Sequence, residues 1–399
     1  MDVKTAFLQG KLIERDVFVK PPKESETNVL WKLNKCVYGL ADASRYWYLK
    51  FREELMKLKA VPCSLDQALF MWYNDKNQLI GITICFVDDV IWAGDETFKS
   101  IISAFKTIFH IGSENQASFK FIGIHLTQLS DFSIEADQYD FISAINYIPI
   151  TPNMRADLKQ PVTDAARKEL RSALGQLNWI AGMTRPEISF YTCSISTHIK
   201  NATVADLIAT NKVIRFVKEK KSHIKFPSMD LSTLSIIAYA DASWNNLPNG
   251  GSQGGQLVFL KDANNLVSPV LWSSTRIKRV ARSTLAAESL SVLDGCDSAF
   301  FVGQLVSTIL RIEKIPVLTV TDSDSLYDTS STTKQVLDRR LRVEISAIRE
   351  MCEKDEVKLV WVDSKNQLSD VFTKKGASSD RLMQTIQSGQ LHHVMLSYK

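Results

Sequence analysis

Two apolar runs flank a pair of carboxylates in Leu79-Ile80-Gly81-Ile82-Thr83-Ile84-Cys85-Phe86-Val87-Asp88-Asp89-Val90-Ile91-Trp92-Ala93. The apolar residues on both sides favour β structure, so the pattern predicts a strand, a tight turn and a second strand. Adjacent carboxylates repel each other unless a cation holds them. Hard divalent cations take oxygen ligands, and a pair of them stabilises the attacking and leaving oxygens of phosphoryl transfer. The hairpin therefore carries either a metal site at Asp88 and Asp89 or a solvated Asp-Asp turn.

The composition of the 399-residue chain is that of a globular protein with two or three domains. Hydrophobic residues make up 45% of the chain, and the net charge of +4 permits a polyanionic partner without requiring one. The six cysteines are scattered without metal-ligand spacing, so the sequence supports neither a zinc site nor a disulfide framework. The first residues lack the features of a signal peptide, and no apolar stretch could span a bilayer, so we expect no membrane partner.

The period of the apolar residues changes along the chain. Residues 1–130 mix helical and strand-like patterns, and residues 131–228 are mostly helical. Residues 229–378 have the order three strands, helix, strand, helix, strand and helix, which is typical of an α/β domain with a mixed sheet. Residues 379–399 show no strong period. We therefore predict three structured regions followed by a C-terminal tail.

Four acidic residues of the second half lie at the ends of predicted elements. Asp241 and Asp322 close strands, Glu288 lies one to two turns into a helix, and Asp370 begins the last helical segment. Side chains from strand ends and from helices packed on the same sheet can converge, and four acids at one point require cations such as a Mg²⁺ pair. Each acid also has a simpler interpretation, as a helix cap, a turn former or a surface residue.

Short motifs follow one another along nearly the whole chain. They are Met1-Asp2-Val3-Lys4-Thr5-Ala6-Phe7-Leu8-Gln9-Gly10, Val37-Tyr38-Gly39-Leu40 with Arg45 and Trp47, Phe86-Val87-Asp88-Asp89, Phe121-Ile122-Gly123, Gly175-Gln176-Leu177, Thr184-Arg185-Pro186-Glu187-Ile188, Ala240-Asp241-Ala242-Ser243-Trp244, Arg282-Ser283 with Glu288, Thr321-Asp322-Ser323, and Gln367-Leu368-Ser369-Asp370-Val371-Phe372-Thr373-Lys374. In this order they resemble the reverse transcriptase and ribonuclease H portion of the Pol polyprotein of copia-type LTR retrotransposons.

The resemblance implies a multi-domain fold with α/β and α+β parts. Residues 1–130 would form a partial polymerase palm without fingers, and residues 131–228 a helical region like a thumb or connection. Residues 229–378 would form a ribonuclease H-like mixed five-stranded sheet with flanking helices, and residues 379–399 a tail. The implied activities are RNA-directed DNA polymerisation and cleavage of RNA in RNA–DNA hybrids, each with two Mg²⁺ or Mn²⁺ ions per active site.

Site residues follow from the resemblance position by position. Asp2, Asp88 and Asp89 would be the catalytic metal ligands of the polymerase. Phe7 lies where the family has its sugar gate, a ring that excludes a 2′-hydroxyl, although a core position in an Ala-Phe-Leu run explains it equally well. The catalytic metal ligands of the nuclease would be Asp241, Glu288, Asp322 and Asp370. The side chains that would contact nucleic acid are Arg45, Arg276, Lys278, Arg279 and Arg282.

The expected partners are an RNA template, a DNA primer and an RNA–DNA hybrid, with deoxynucleoside triphosphates if the polymerase is active. The resemblance implies cytoplasmic virus-like particles, without excluding the nucleus, and leaves the oligomeric state open. Because the chain begins one residue before Asp2, we expect the polymerase activity of this chain to be impaired. The alternatives are a non-catalytic nucleic-acid-binding relic and a ribonuclease H retained by a host.

Overall fold

The computed structural model describes residues 1–25, 29–247, 250–332, 336 and 338–392. The chain forms two compact units, one of residues 1–122 and 305–313 and the other of residues 123–304 and 314–399. The second unit contains the region predicted at 131–228 and the region predicted at 229–378 except residues 305–313. The predicted boundaries between the regions stay predictions. Among the described helices, none is long and apolar enough to cross a membrane.

The first unit is built on a six-stranded sheet in the order β4-β5-β6-β7-β1-β8. The described strands of the first unit, six of which form this sheet, are β1 (Asp2–Val3), β2 (Phe18–Val19), β3 (Trp31–Lys32), β4 (Val61–Pro62), β5 (Leu69–Tyr73), β6 (Leu79–Phe86), β7 (Asp89–Gly94), β8 (Ile111–Ser113) and β9 (Ser118–Phe121). Its helices are α1 (Ala6–Gln9), α2 (Ala43–Lys57) and α3 (Phe98–Ile108). The predicted strand, turn and strand around Asp88 are confirmed as β6 and β7.

Aromatic rings form the core of the first unit. Trp47 and Phe51 lie one turn apart on the buried face of α2, and the ring centroid of Phe51 is 5.6 Å from that of Phe70 on β5. Full burial of each such ring stabilises the fold by about 1.5–3 kcal/mol. A methyl group at Gly81 of β6 would overlap the ring of Phe98. A glycine is therefore needed where α3 approaches the sheet that carries the hairpin.

The second unit begins with short strands and a helical layer. Its elements are β10 (Ile124–Gln128), β11 (Ile134–Asp137), α4 (Tyr139–Ala144), α5 (Pro152–Ala156), α6 (Asp164–Met183), α7 (Ser189–Ser196), α8 (Val204–Glu219) and β12 (Ile224–Phe226). β10, β11 and β12 are antiparallel neighbours, which adds a small sheet to a region predicted as mostly helical. Thr163 caps α6, and Thr203 forms a capping box with Asp206 at the start of α8.

The predicted mixed five-stranded sheet is present in the second unit. Its strands are β13 (Ser235–Leu247), β14 (Gly251–Lys261), β15 (Val267–Arg276), β16 (Val317–Thr321) and β17 (Lys358–Trp361). They lie in the order β15-β14-β13-β16-β17; β13, β14 and β15 are antiparallel, whereas β16 is parallel to both β13 and β17. β13 therefore lies at the centre of the sheet.

Four helices accompany this sheet: α9 (Thr284–Leu310), α10 (Asp324–Ser331), α11 (Leu341–Glu353) and α12 (Asp380–Ser388). The last residues of α9 belong to the first unit. Part of the predicted tail is α12, which buries Leu382, Met383 and Ile386. A helix of nine residues is too short to show a clear period in the sequence. Residues 393–399 of the tail lie outside the described residues.

Candidate active sites

Three carboxylates meet at the centre of the five-stranded sheet. Asp241 lies on β13, Asp322 directly follows the neighbouring parallel strand β16, and Asp370 lies in a 3₁₀ turn at residues 368–372. Each side chain offers one carboxylate oxygen, and these oxygens all lie within 4.8 Å of one another. Residues up to 129 positions apart in the sequence thus come together at a spacing that suits one cation.

Glu288 lies beside these three acids, in the second turn of α9. Its side chain is buried, and the backbone N–H of Ala242 donates a hydrogen bond to its carboxylate. Its second oxygen, Oε2, is buried without a hydrogen-bond partner among the described residues. Burial raises the pKa of Glu288 to about 9, and the charges of Asp241 and Asp322 add to that rise. We call Asp241, Glu288, Asp322 and Asp370 the acidic cluster.

Asp241 has the most restricted environment of the acidic cluster. Burial raises its pKa to about 7, and the neighbouring carboxylates of Asp370 and Asp322 contribute to the rise. The hydroxyl of Thr373 donates a hydrogen bond to Asp241 Oδ2. The hydroxyl of Ser291 donates a hydrogen bond to the backbone carbonyl of Asp241 at 2.7 Å. Asp241 is therefore fixed in position while its ionised form is disfavoured.

One ammonium group lies among these acids. Lys374 Nζ is 2.6 Å from Asp370 Oδ1 and 3.5 Å from Asp241 Oδ1. Burial alone would lower the pKa of Lys374, but the charges of Asp241, Asp370 and Asp322 outweigh it, so the pKa is raised. Lys374 forms part of a motif noted in the sequence, but its position between two acids was not predicted.

Gln367 holds three parts of the cluster in place. Its Nε2 donates to the carbonyl of Ala240 at 3.0 Å and lies 3.4 Å from Asp322 Oδ1. Its Oε1 accepts hydrogen bonds from the backbone N–H and the hydroxyl of Ser369. The buried amide therefore connects β13, Asp322 and the turn that carries Asp370. A glutamine in a short motif gives no signal for this role in the sequence.

The residues of the acidic cluster fit divalent cations. All the available donors are carboxylate oxygens, which hard cations such as Mg²⁺ prefer. Glu288 Oε2 is buried and has no hydrogen-bond partner in the described chain, which is costly unless an ion or another donor satisfies it. The predicted convergence of Asp241, Glu288, Asp322 and Asp370 thus has a structural counterpart, and their role as metal ligands stays a prediction.

The four basic residues predicted near this site differ in their surroundings. Arg276, Lys278 and Arg279 line a cavity of about 560 Å³, whose wall also includes Ser291. Arg279 is engaged in an ion pair with the buried carboxylate of Glu344. Arg282 is exposed and is not among the residues that line the cavity. Arg276 and Lys278 are therefore the better candidates for contacts with a polyanion.

The aspartate hairpin, which we define as β6, β7 and the turn of Val87 and Asp88, carries the predicted polymerase acids. Asp2 of β1 pairs with Asp89 of β7, and the N–H of Val3 donates to the carbonyl of Asp88 at 2.8 Å. Val87 has φ +58°, a left-handed conformation that is unfavourable for a β-branched residue. The indole N–H of Trp47 donates to its carbonyl and supports the turn.

The side chains of Asp2, Asp88 and Asp89 do not form a cluster as compact as that of the second unit. Among the described residues, the only group of three or more Asp, Glu, His or Cys side chains with ligand atoms all within 4.8 Å of one another is Asp241, Asp322 and Asp370. Burial raises the pKa of Asp89, and the charges of Asp88 and Asp2 add to the rise, so both are near enough to repel Asp89. The backbone thus brings the three acids near one another without the tight grouping of oxygens in the second unit.

Two aromatic residues lie beside the hairpin. The hydroxyl of Tyr38 donates to Asp88 Oδ2 at 3.3 Å, and the Tyr38 and Phe7 rings lie 4.5 Å apart, centroid to centroid. Phe7 is partly buried and packs against the core of the first unit, so its surroundings fit both predicted interpretations. Arg45, the predicted nucleic-acid contact of this unit, is exposed on α2. Tyr38 belongs to the motif Val37-Tyr38-Gly39-Leu40, but its contact with Asp88 was not predicted.

Comparison with known proteins agrees with these observations. Residues 1–155 match the family model "Reverse transcriptase (RNA-dependent DNA polymerase)". Over 392 residues the chain is 26% identical to the retrovirus-related Pol polyprotein from transposon RE1 of Arabidopsis thaliana, and this alignment covers 94% of the chain. The chain is thus similar in sequence to copia-type Pol polyproteins of retrotransposons. The retrovirus-related Pol polyprotein from transposon TNT 1-94 of Nicotiana tabacum is 23% identical, again over 94% of the chain.

The chain spans only part of these relatives, namely 26% of the RE1 polyprotein and 29% of the TNT 1-94 polyprotein. Among solved structures, the foamy viral protease-reverse transcriptase in complex with an RNA/DNA hybrid is similar, with a TM-score of 0.51 and 13% sequence identity. That match covers 95% of this chain and 45% of the foamy viral chain. The predicted fold class is therefore confirmed.

Proposed function

We propose that this chain is part of a retrotransposon Pol polyprotein and acts as a reverse transcriptase with a ribonuclease H that cleaves RNA in RNA–DNA hybrids. The observation that carries the proposal is the acidic cluster, where three carboxylate oxygens lie within 4.8 Å of one another and a fourth acid is buried beside them. Such a cluster is unfavourable in a fold unless it binds cations. We propose two Mg²⁺ or Mn²⁺ ions as its occupants, held by Asp241, Glu288, Asp322 and Asp370.

Different residues around this site would bind the cations, hold the acids in position and contact the nucleic acid. Bound divalent cations supply positive charge to the phosphodiester and lower the pKa of water. Thr373 and Ser291 fix Asp241, and Gln367 fixes Asp322 and the turn of Asp370. Arg276 and Lys278 would hold the phosphate backbone of the hybrid in the adjacent cavity. A hybrid is distinguished by its shape and its 2′-hydroxyls rather than by its base edges.

Cleavage of a labelled RNA strand in a hybrid tests this proposal. The purified chain should cut the RNA with Mg²⁺ or Mn²⁺ and leave the same sequence intact as duplex DNA. Asp241→Asn should reduce the rate by about a thousandfold, since one lost metal ligand removes several kcal/mol of stabilisation. Asp297→Asn, which removes an exposed acid from the same helix as Glu288, should cut normally. Equal inactivity of the wild type and Asp241→Asn with both metals would refute the nuclease and favour a nucleic-acid-binding relic.

We also propose polymerase chemistry at the aspartate hairpin, in which a primer 3′-hydroxyl attacks the α-phosphate of a deoxynucleoside triphosphate on an RNA template. The pairing of Asp2 with Asp89, next to Asp88, supports this assignment. Primer extension by the wild type, Asp88→Asn and the exposed control Asp75→Asn tests it. We expect slow extension that Asp88→Asn abolishes and Asp75→Asn preserves. Extension that Asp88→Asn leaves unchanged would refute the assignment. Cytoplasmic localisation stays a prediction.

A further inference from the structure

The ammonium of Lys374 lies against two acids of the acidic cluster. It contacts Asp370 and Asp241, which are two of the three residues whose oxygens lie within 4.8 Å of one another. No other Lys or Arg forms an ion pair with the acids of the cluster in the described part of the chain. The single positive charge of Lys374 therefore offsets part of a repulsion among four acids.

A divalent cation bound to Asp370 would compete with the ammonium of Lys374 for the negative charge of the same carboxylate. Mg²⁺ lies about 2.1 Å from its ligand oxygens. A Mg²⁺ ion bound to Asp370 Oδ1 would therefore lie within about 4.7 Å of Lys374 Nζ, because Nζ is 2.6 Å from that oxygen. Two cations this close repel each other strongly in a partly buried site.

The side chain of Lys374 can move while its backbone stays fixed. The backbone around it is held by the N–H of Lys374, which donates to the carbonyl of Asp370 at 2.9 Å, and by Asn246 Nδ2, which donates to the carbonyl of Thr373 at 2.7 Å. The side chain itself is 42% exposed, so its flexible stem has a path to solvent.

We propose that Lys374 is a resident counter-ion of the acidic cluster, which holds the acids together without metal and must be displaced when divalent cations bind. This inference rests on the metal site of the proposed function. It makes Lys374 a positioning residue that sets the metal concentration at which the site fills. Loss of the ammonium should weaken the metal-free fold and strengthen the binding of divalent cations.

The matched pair of variants is Lys374→Met and Lys375→Met. Lys375 is the next residue in the chain and is exposed, so both changes remove one positive charge and keep a similar stem, but only Lys374 contacts the acids. Lys374→Arg provides a variant that keeps the charge. The measurements are thermal unfolding of the EDTA-treated full chain and calorimetric titration with Mn²⁺.

We expect Lys374→Met to unfold at a lower temperature than Lys375→Met without metal, and to bind Mn²⁺ about tenfold more tightly than the wild type. Lys374→Arg should behave like the wild type in both measurements. If Lys374→Met is unfolded without metal, Mn²⁺ should restore its fold, and failure to do so overturns the proposal. Mn²⁺ affinity that is unchanged or weaker in Lys374→Met, or equal metal-free stability of the two Met variants, also overturns it.

The failure of this inference can be distinguished from the failure of the proposed function. A wild-type chain that neither binds Mn²⁺ nor cuts the hybrid would remove the metal site, and the inference with it. A wild-type chain that binds Mn²⁺ and cuts the hybrid, while Lys374→Met binds Mn²⁺ as the wild type does, would overturn the role of Lys374 alone.

Discussion

The acidic cluster and the aspartate hairpin both gather carboxylates, but they do so to different degrees. In the cluster, Asp241, Asp322 and Asp370 meet on a central strand, a neighbouring strand and a turn fixed by Gln367, and Lys374 neutralises part of their charge. At the hairpin, Asp88 lies in the turn, and Asp89 of β7 pairs with Asp2 of β1. Preorganised ligands require side-chain support as well as backbone proximity. In the cluster this support comes from buried groups, whereas Asp88 accepts an exposed hydrogen bond from Tyr38.

Metal removal should produce the largest difference between the two sites. With Mg²⁺ at one hundred times its Kd, we expect amide exchange in β13 and β16 to slow by about a hundredfold, which corresponds to about 2.7 kcal/mol. Exchange in β6 and β7 should change much less. Hydrogen exchange with Mg²⁺ and with EDTA measures both regions in one sample. Equal protection of the two regions, or greater protection of β6 and β7, would contradict the comparison.

Gln367 should be the next most sensitive position. Gln367→Leu leaves Asp322 and the Asp370 turn without their amide partner, so we expect a loss of tenfold or more in hybrid cleavage. The Mg²⁺ concentration for half-maximal cleavage should rise, which a simple loss of stability would not produce. Gln253→Leu is the control, because Gln253 is a buried amide that bonds Ser274 and Cys193 instead. An unchanged Mg²⁺ requirement in Gln367→Leu would remove its positioning role.

The effect of replacing each basic residue near the cluster should depend on what its side chain contacts. Arg276→Gln and Lys278→Gln should each weaken hybrid binding and reduce the slope of log K against log salt by about one. Arg279→Gln should instead lower the unfolding temperature, because it leaves the buried carboxylate of Glu344 without its ion pair. Fluorescence anisotropy over a salt series, together with thermal unfolding, checks both outcomes. The same change of slope in all three variants would contradict the distinction.

Tyr38 should give the smallest effect. Tyr38→Phe removes one exposed hydrogen bond to Asp88 and keeps the contact with the Phe7 ring, so primer extension should slow only about twofold to fivefold. Tyr38→Ala also removes the support of Phe7 and should increase the ratio of ribonucleotide to deoxynucleotide incorporation. Steady-state primer extension with both nucleotide types measures the two effects. An unchanged ratio in Tyr38→Ala would favour Phe7 as a core residue alone.

The sequence was sufficient to predict a structural feature where a local residue pattern also marks the boundary of an element. The hairpin at Asp88 follows from two β-forming runs around a polar turn, and Asp322 follows from a strand that ends in an acid. The prediction that Asp241 closes its strand was wrong, because β13 continues to Leu247 in register with β14. The sequence was insufficient for contacts between distant short segments. The pairing of β11 with β12 joins strands of four and three residues that lie far apart in the chain. The ion pair of Arg279 with Glu344 and the position of Lys374 also depend on tertiary packing.

The central claim is that the acidic cluster of the second unit is built to hold divalent cations. Anomalous scattering from crystals grown with Mn²⁺ tests this claim most directly. We expect anomalous peaks within coordination distance of Asp241, Glu288, Asp322 and Asp370, stronger than any peak at Asp88. Crystals that show no Mn²⁺ among these four acids, or that fill the aspartate hairpin first, would contradict the account.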